Sequence, residues 1–326
     1  MKHVELGGQG LKVSRISLGC MGMSEFYATC SEEEGIATIH SAIEQGVNFL
    51  DTSDMYGPFT NEILIGKAIA DRREKVILAT KFGNERTPEG QYLGVNGRPE
   101  YIRKCCDASL KRLKVSVIDL YYQHRVDPKV PIEETFGAMA ELVKEGKVRY
   151  LGISEAKPET IRRAHKVHPL TALQTEYSIW SREPEDELLK TVRELRIGFV
   201  AYSPLGRGFL TGRYKQPEDF GVGDFRRYFP RFQDGNFYKN FAVVEQLESL
   251  AREKKISTAQ LALAWVLAQG EDIVALPGTK NLNHLKEDID SVNIHLSQAE
   301  LDNINRFAPK DFAAGDRYAD MSSINL

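Results

Sequence analysis

Four residues are suited in combination to acid–base chemistry on a substrate oxygen: Asp51, Tyr56, Lys81 and His124. A phenol has an ordinary pKa of about 10, and it can donate a proton at neutral pH when a nearby cation stabilises its phenolate. Lys81 can supply that charge, while Asp51 can hold the ammonium in place and keep it protonated after burial. His124 can donate from a ring nitrogen to the substrate oxygen and orient it.

Each of these residues also has an ordinary structural explanation. Asp51 with Lys81 is compatible with a salt bridge at the rim of a sheet. His124 is compatible with a hydrogen-bonded core histidine, Tyr56 with a packed surface aromatic, and Asp54 with a loop acceptor. A chemical alternative is an aldolase with Lys81 as Schiff-base nucleophile, which requires a lysine of lowered pKa rather than one paired to Asp51. Only the combination of the four residues indicates proton transfer.

The elements that position these residues alternate along the chain. Short β-branched runs alternate with longer segments of helical period, which is typical of a parallel sheet with crossover helices. The pattern predicts an α/β fold, a (β/α)8 TIM barrel formed as one domain by residues 1–326. The active sites of such barrels lie at the carboxyl ends of the strands. The predicted strands end near Gly19, Asp51, Lys81, His124, Ser154, Glu176, Ser203 and Pro277.

Local signals support the helices and mark three segments outside the alternation. Ser31–Glu34 reads as a capping box, and residues 131–146 run from a helix-starting proline to a glycine stop. Residues 4–13 predict an N-terminal β-hairpin that plugs the bottom of the barrel. Residues 212–239 predict a long irregular excursion, and the C-terminal tail follows Phe307. Both leave the carboxyl-end face of the barrel and are candidates to cover a ligand.

Composition excludes several classes of protein. The chain has 43 basic and 46 acidic residues and a net charge of -3, so no overall field favours nucleic acid or an anionic membrane. No apolar run has the length of a transmembrane helix, and a cytoplasmic protein is expected. The four cysteines show no CxxC spacing, and the histidines form no HxH or HExxH motif, so no metal site is expected. The vicinal pair Cys105 and Cys106 is better explained by helix packing than by redox chemistry. Oligomeric state is not indicated.

Several motifs together resemble the aldo-keto reductase family. The resemblance extends from Leu6 to about Ile304, and within the family it is nearest to the bacterial and plant reductases related to ion-channel β subunits. The motifs that carry it are DTSDMYG at 51–57 with Asn61 and Glu62, TKF at 80–82, QHRVDP at 123–128, KEGKVRYLGIS at 144–154, LQTEY at 173–177, YSPLGRG at 202–208 and PGTK at 277–280.

The resemblance implies NADPH-dependent reduction of aldehydes or ketones to alcohols. Tyr56 would be the general acid, assisted by Lys81 and Asp51, and His124 would orient the carbonyl. The substrate partner would be a small carbonyl compound. The implied cofactor-binding residues are Met21 and Gly22 beneath the nicotinamide and its ribose, Ser154 and Gln174 at its carboxamide, Tyr202 stacked on its ring, Ser203, Pro204, Leu205, Gly206 and Gly208 along the pyrophosphate, and Gly278, Thr279, Lys280, His284, Glu287 and Asp288 at the adenosine end.

The adenosine end departs from the family at two positions. Lys280 and the amides at a helix start would hold the 2′-phosphate that distinguishes NADPH from NADH. His284 stands where many relatives carry arginine, and Asp288 stands where they carry asparagine. Because histidine is mostly neutral near pH 7, the preference for NADPH over NADH is less strongly encoded than the chemistry.

Substrate and partner preferences are encoded less specifically. An apolar wall above Tyr56 is predicted from Met23, Phe26, Tyr27, Met55, Phe82 and Trp180, with the alternative that several of these only pack loops together. Arg226, Arg227 and Arg231 of the excursion are expected either to close over phosphates or substrate, or to form a surface patch. Some members of the family bind the cofactor while regulating ion channels, so a redox-sensing partner protein is a second functional class.

Overall fold

The strands of the computed structural model fall into one central sheet and two hairpins. The structure describes residues 1–27 and 30–324, and residues 28, 29, 325 and 326 lie outside that description. The strands are β1 (His3–Leu6), β2 (Leu11–Ser14), β3 (Leu18–Gly19), β4 (Phe49–Asp51), β5 (Ile77–Phe82), β6 (Asn84–Arg86), β7 (Tyr92–Val95), β8 (Ile118–Gln123), β9 (Val148–Ser154), β10 (Ala172–Glu176), β11 (Gly198–Tyr202) and β12 (Ile273–Leu276).

The α-helices follow the strands of the central sheet. They are α1 (Glu32–Glu44), α2 (Thr60–Ala68), α3 (Pro99–Leu113), α4 (Ile132–Lys144), α5 (Pro158–Val167), α6 (Leu188–Glu194), α7 (Asp234–Lys254), α8 (Thr258–Ala268), α9 (Leu282–Asp290) and α10 (Gln298–Phe307). In the described ranges none of these helices combines the length and the apolar character needed to cross a membrane. The capping box at Ser31 is confirmed, since Ser31 Oγ accepts from the Glu34 amide and the Glu34 carboxylate accepts from the Ser31 amide.

Eight parallel strands close into a barrel. Their order is β3, β4, β5, β8, β9, β10, β11, β12, and the two ends of this sheet meet. The Ser17 amide donates to the Ala275 carbonyl over 2.9 Å, and the Gly19 amide donates to the Pro277 carbonyl over 2.8 Å. The predicted (β/α)8 barrel is confirmed, and each barrel strand ends within one residue of its predicted position. The carboxyl ends therefore form one rim.

The N-terminal hairpin closes the opposite end of the barrel, as predicted. β1 and β2 pair antiparallel, and Leu6, Leu11 and Val13 pack among buried residues of the barrel interior. Gly198, at the start of β11, makes this approach possible, because a Cβ there would lie 2.3 Å from Leu6 Cδ1. The barrel is thus a filled core with a blocked floor, which leaves the carboxyl-end rim as the face for a ligand.

Two loops at that rim differ from the sequence predictions. β6 and β7 form a second hairpin that sequence patterns did not reveal, because β6 carries polar residues in place of a β-branched run. Arg86 of this hairpin forms an ion pair of 2.7 Å with Glu25. The predicted excursion is also shorter than expected, since α7 begins at Asp234 rather than after Lys239. Short 3-10 helices at Pro217–Asp219, Phe225–Tyr228 and Pro230–Phe232 occupy part of it.

Candidate active site

Lys81 is the centre of a buried cluster at the carboxyl-end rim. Its ammonium donates to Asp51 Oδ1 over 2.5 Å, to the Thr52 carbonyl over 2.7 Å and to Tyr56 Oη over 3.3 Å. Gln174 donates to the second carboxylate oxygen of Asp51 over 2.8 Å. Lys81 is fully buried, and Tyr56 keeps 8% of its surface exposed. Of the three residues Lys81, Asp51 and Tyr56, Tyr56 is therefore the most exposed to solvent.

Burial and charge together set the protonation of this cluster. Burial raises the pKa of the Tyr56 phenol, and the Lys81 ammonium lowers it without reversing that direction. Tyr56 is therefore protonated at neutral pH, and Lys81 acts on its pKa in the direction expected of a cation that stabilises the phenolate. Burial lowers the pKa of Lys81, but Asp51 and Tyr56 outweigh it and the net direction is upward. This is the opposite of what a Schiff-base lysine needs, so the aldolase alternative is disfavoured.

His124 stands beside Tyr56 as a neutral imidazole. The two ring centroids are 5.9 Å apart, and the rings are nearly perpendicular at 86°. Burial lowers the pKa of His124 well below its ordinary value, and the charges of Arg125 and Lys81 lower it further. Ser53 Oγ lies 3.2 Å from His124 Nδ1. A Ser53 hydroxyl that donates to Nδ1 leaves the single ring proton on Nε2, where it is available to a substrate oxygen.

Asp54, in the loop after β4 that also carries Ser53 and Tyr56, has a buried carboxyl group whose pKa is raised. Burial raises this pKa to about 8, and the nearby Glu62 carboxylate adds to the effect. Ser53 Oγ lies 3.3 Å from one of its oxygens. The sequence-based interpretation as a loop acceptor for backbone amides is incomplete, since at neutral pH this group is mainly protonated and can also donate.

The raised pKa of Asp54 predicts a falling stability with rising pH. Because the folded pKa of about 8 exceeds the ordinary value of 3.8, the folded state holds more protons between these values and the free energy of unfolding decreases across them. Asp54→Asn should be more stable than wild type above pH 8 by several kcal/mol, at about 1.4 kcal/mol for each unit of pKa. Denaturant titrations across the pH range measure this.

Asp288 provides an internal comparison for that experiment. Burial raises its pKa to about 8 as well, with a contribution from Glu287. Asp54→Asn should therefore remove only part of the pH dependence, and the double variant Asp54→Asn/Asp288→Asn should remove more. Equal slopes of stability against pH in wild type and both variants would show that neither carboxyl is protonated in the folded protein.

Three of the predicted nicotinamide-binding residues lie side by side at the rim. Ser154 and Gln174 are partners in the register of β9 and β10, which brings a hydroxyl next to an amide. Tyr202, at the end of β11, follows one strand further on. Its hydroxyl lies 3.0 Å from that of Tyr318, a tail residue. Met21 and Gly22 lie across the rim in a single 3-10 turn after β3.

The loop after β11 is packed by protein side chains. The predicted pyrophosphate residues in it are Ser203, Pro204, Leu205, Gly206 and Gly208. A Cβ on Gly206 would lie 2.7 Å from the indole nitrogen of Trp180, and Trp180 itself stacks on Phe209 with centroids 4.7 Å apart. Trp180 therefore supports this loop and does not form the predicted wall above Tyr56. The prediction that Phe82 contributes to this wall is also wrong, since Phe82 is fully buried and packs against Tyr121.

The excursion lies over the same rim. Phe225 packs against the rings of Phe26 and Tyr27, with centroids 5.3 and 5.0 Å apart. Arg226 is buried, pairs with Asp224 over 2.6 Å and donates to the Arg207 carbonyl over 2.7 Å. Neither sequence-based alternative for Arg226 holds, because it is neither a surface residue nor free to close over a phosphate. The same is true of Arg231, which is buried and donates to Ser181 Oγ over 2.6 Å.

A buried ion network fixes the C-terminal tail to the rim. Arg317 donates to both carboxylate oxygens of Glu155, over 3.2 and 3.1 Å. Arg207 pairs with Glu176 over 2.9 Å, and the ring of Tyr318 lies 4.3 Å from the Arg207 guanidinium carbon. The expectation that the tail covers this face agrees with these contacts, since the tail, the excursion and the β11 loop meet above Tyr202.

The predicted adenosine-binding residues lie apart from the Lys81 cluster, after β12 and on α9. They are Gly278, Thr279, Lys280, His284, Glu287 and Asp288. Asn281 caps α9, because its side-chain Oδ1 accepts from the amides of Asn283 and His284, so an anion at this helix start would compete with that side chain. Gly278 adjoins Gly19, because a Cβ on it would lie 3.1 Å from the Gly19 carbonyl oxygen.

Sequence patterns missed Ser53, the Thr52 carbonyl and the network that holds the tail. Ser53 gives no signal of its own in a loop of polar residues. Glu155 and Glu176 did carry a signal, since an acidic residue at the end of a buried parallel strand needs a partner. Their partner Arg317 follows 162 residues after Glu155 and has no distinguishing local pattern. Among the described residues, no group of three or more His, Cys, Asp and Glu side chains is arranged to hold a metal ion.

Comparison with known proteins agrees with this geometry. The model of the aldo/keto reductase family matches residues 15–309. A probable aldo-keto reductase from Glycine max is 48% identical over 322 residues, which are 98% of this chain and 92% of the relative.

Solved structures show the same architecture. A glycerol dehydrogenase from Gluconobacter oxydans superposes with a TM-score of 0.85 at 30% identity, covering 95% of this chain and 96% of that one. An aldo/keto reductase from Klebsiella pneumoniae, in complex with NADP and acetate, gives a TM-score of 0.77 at 26% identity, with coverages of 98% and 99%. With a match across nearly the whole length, on a barrel whose rim carries the buried lysine cluster, the chain belongs to the aldo/keto reductase family of oxidoreductases.

Proposed function

We propose that this protein reduces aldehydes or ketones to alcohols with NADPH, and that Tyr56 is the proton donor. One observation carries the proposal: the buried Lys81 ammonium contacts both the Asp51 carboxylate and the Tyr56 hydroxyl at the ligand-accessible rim. Bound NADPH supplies the hydride for the carbonyl carbon. The protein must then supply the proton for the carbonyl oxygen, and Tyr56 is the protonated group beside this position.

The proton step follows from the charges in the cluster. Tyr56 Oη donates its proton to the carbonyl oxygen as negative charge develops there, and the phenolate left behind is stabilised by Lys81. Asp51 keeps Lys81 charged in a site without bulk water. His124, neutral and with its proton on Nε2, donates a hydrogen bond to the same oxygen and orients it. No group in this scheme needs an unusual protonation state at neutral pH.

The rim has the donor set that a nicotinamide nucleotide requires. A carboxamide has both a donor and an acceptor, and the paired hydroxyl of Ser154 and amide of Gln174 can meet both. The flat ring of Tyr202 suits a nicotinamide face. A further support is the NADP in the Klebsiella pneumoniae neighbour.

Loss of NADPH absorbance with a panel of aromatic and aliphatic aldehydes tests this function. We expect turnover with NADPH, formation of the corresponding alcohol, and tighter binding of NADPH than of NADH. Tight binding of NADPH without turnover of any aldehyde or ketone would instead favour the redox-sensing class, and isolation of a stable partner complex would strengthen that alternative.

Lys280 is proposed to set the preference for NADPH. A charged hydrogen bond from its ammonium to the 2′-phosphate is worth about 1.5–3 kcal/mol, so Lys280→Met should weaken NADPH binding by about 10–100-fold. NADH, which lacks this phosphate, should bind the variant and wild type alike. His284→Arg is the opposite change and should tighten NADPH binding, since arginine offers a permanent forked contact. Calorimetry with both cofactors measures this, and an equal loss for NADPH and NADH in Lys280→Met would contradict the assignment.

A further inference from the structure

Arg125 is a buried cation beside the Lys81 cluster with unused donors. Its Nη1 donates to the His124 carbonyl over 2.8 Å and to Ser154 Oγ over 3.3 Å. Only 9% of its surface is exposed. Nε and Nη2 have no partner among residues 1–27 and 30–324, and in those ranges no carboxylate lies within ion-pair distance of the guanidinium. A guanidinium has five N–H donors, so most of its hydrogen-bonding capacity remains available.

The neighbouring carboxylates are already paired with other cations. Asp51 is held by Lys81, Glu155 by both Arg317 nitrogens, and Glu176 by Arg207. In the described part of the chain, Arg125 is therefore a cation of this rim that forms no ion pair with any of these three carboxylates. Burial alone would disfavour this charge, but the nearby oxygens of Tyr202, Tyr318 and Glu155 outweigh it and raise the pKa of Arg125 above its ordinary value. Arg125 therefore stays charged, and a buried charged group with free donors is suited to binding a ligand.

The surroundings of Arg125 locate that ligand. Arg125 directly follows His124, and its Nη1 contacts the His124 carbonyl and Ser154 Oγ. Burial raises the pKa of Tyr56 and of Tyr202, and the charge of Arg125 opposes this rise at both phenols. Its Ser154 contact places it between the proposed proton donor and the proposed nicotinamide site. A group bound by Nε and Nη2 would therefore lie beside the carbonyl that Tyr56 protonates.

We propose that Arg125 is a specificity-determining residue that binds a carboxylate of the substrate, so that the preferred substrates are aldehydes or ketones carrying a carboxylate near the carbonyl. This inference rests on the proposed carbonyl reduction and narrows its substrate class. The unused Nε and Nη2 donors lie on one edge of the planar guanidinium and match the two oxygens of a carboxylate in a forked pair. The reaction is unchanged, since the carboxylate takes no part in the transfer of hydride or proton.

The test compares ortho, meta and para carboxybenzaldehyde with the matching primary amides, which have the same shape without the charge. A charge-assisted pair is expected to raise kcat/KM for at least one acid over its amide by about 10–100-fold in wild type. Arg125→Met should abolish this ratio, and Arg125→Lys, which keeps the charge but loses the fork, should restore part of it. Arg306→Met, at an exposed arginine on α10, is the matched control and should leave the ratio as in wild type.

Binding measurements separate this inference from the proposed function. Benzoate and benzamide are titrated into the NADPH-loaded protein by calorimetry, where no turnover is needed. We expect benzoate to bind about 10-fold or more tightly than benzamide in wild type and equally in Arg125→Met. An acid-to-amide ratio near one in wild type, in turnover or in binding, overturns the assignment. So does a loss of NADPH affinity in Arg125→Met that accounts for its whole defect, because Arg125 would then belong to the cofactor site.

Discussion

Replacing Tyr56 by phenylalanine should lower the rate of carbonyl reduction by about 10²–10⁴-fold, the usual contribution of a positioned general acid. The ring and its packing beside His124 are kept, so only the proton donor and its contact with Lys81 are removed. Binding of NADPH should persist, since no proposed cofactor contact involves the phenol. Steady-state kinetics with one good aldehyde, together with a titration of NADPH, measure both quantities.

The control for this variant is Tyr238→Phe, at an exposed tyrosine on α7 that has no proposed part in catalysis or cofactor binding. Its kinetics should match wild type. A Tyr56→Phe enzyme that retains most of the wild-type kcat would refute Tyr56 as the acid and direct attention to His124, the other proton-bearing side chain beside the carbonyl position.

Replacing Asp51 by asparagine should both inactivate and destabilise the protein. Lys81 is fully buried and Asp51 is its counter-ion, and removing one partner of such a pair costs about 3–5 kcal/mol because the remaining charge is left uncompensated. Lys81 can then lose its proton, which removes the charge that stabilises the Tyr56 phenolate. Denaturant unfolding and aldehyde turnover should fall together in this variant.

Two further variants show whether the cost comes from the unpaired charge. The double variant Asp51→Asn/Lys81→Met removes both charges and should recover much of the lost stability while remaining inactive. Asp290→Asn breaks an exposed pair with Lys286 on α9, and it should cost less than about 1 kcal/mol. If Asp51→Asn lowered the free energy of unfolding no more than Asp290→Asn does, Asp51 and Lys81 would not be a tightly coupled buried pair.

The barrel could be predicted because its signals are local and repeated. Each buried parallel strand is a short apolar run, and each ends where an ionisable or small residue meets the rim, as at Asp51 and Lys81. The hairpin β6–β7 gave no such signal, since β6 is polar, β7 is only four residues long, and the two strands pair with each other. The start of α7 was missed because aromatic residues on its first turns pack against the excursion and obscure the helical period.

Sequence could predict the part of the site that depends on residue type and on position at a strand end. The convergence of Asp51, Tyr56 and Lys81 follows from their places at strand ends and in the adjoining loop. The direction of the Tyr56 pKa did not follow, because burial outweighs the lysine charge and burial is a property of the whole fold. Nor did the role of Arg317, whose partners Glu155 and Glu176 are distant in sequence.

Carbonyl reduction by this protein can be tested by following deuterium from NADPH labelled at the position of the transferred hydride. NADPH-loaded wild type and Tyr56→Phe are mixed with an aldehyde, and the alcohol is examined by mass spectrometry and NMR. We expect an alcohol from wild type that carries the deuterium on the former carbonyl carbon, with far slower formation in Tyr56→Phe. Absence of deuterated alcohol from any aldehyde or ketone, with NADPH bound and the protein folded, would contradict carbonyl reduction as the function of this site.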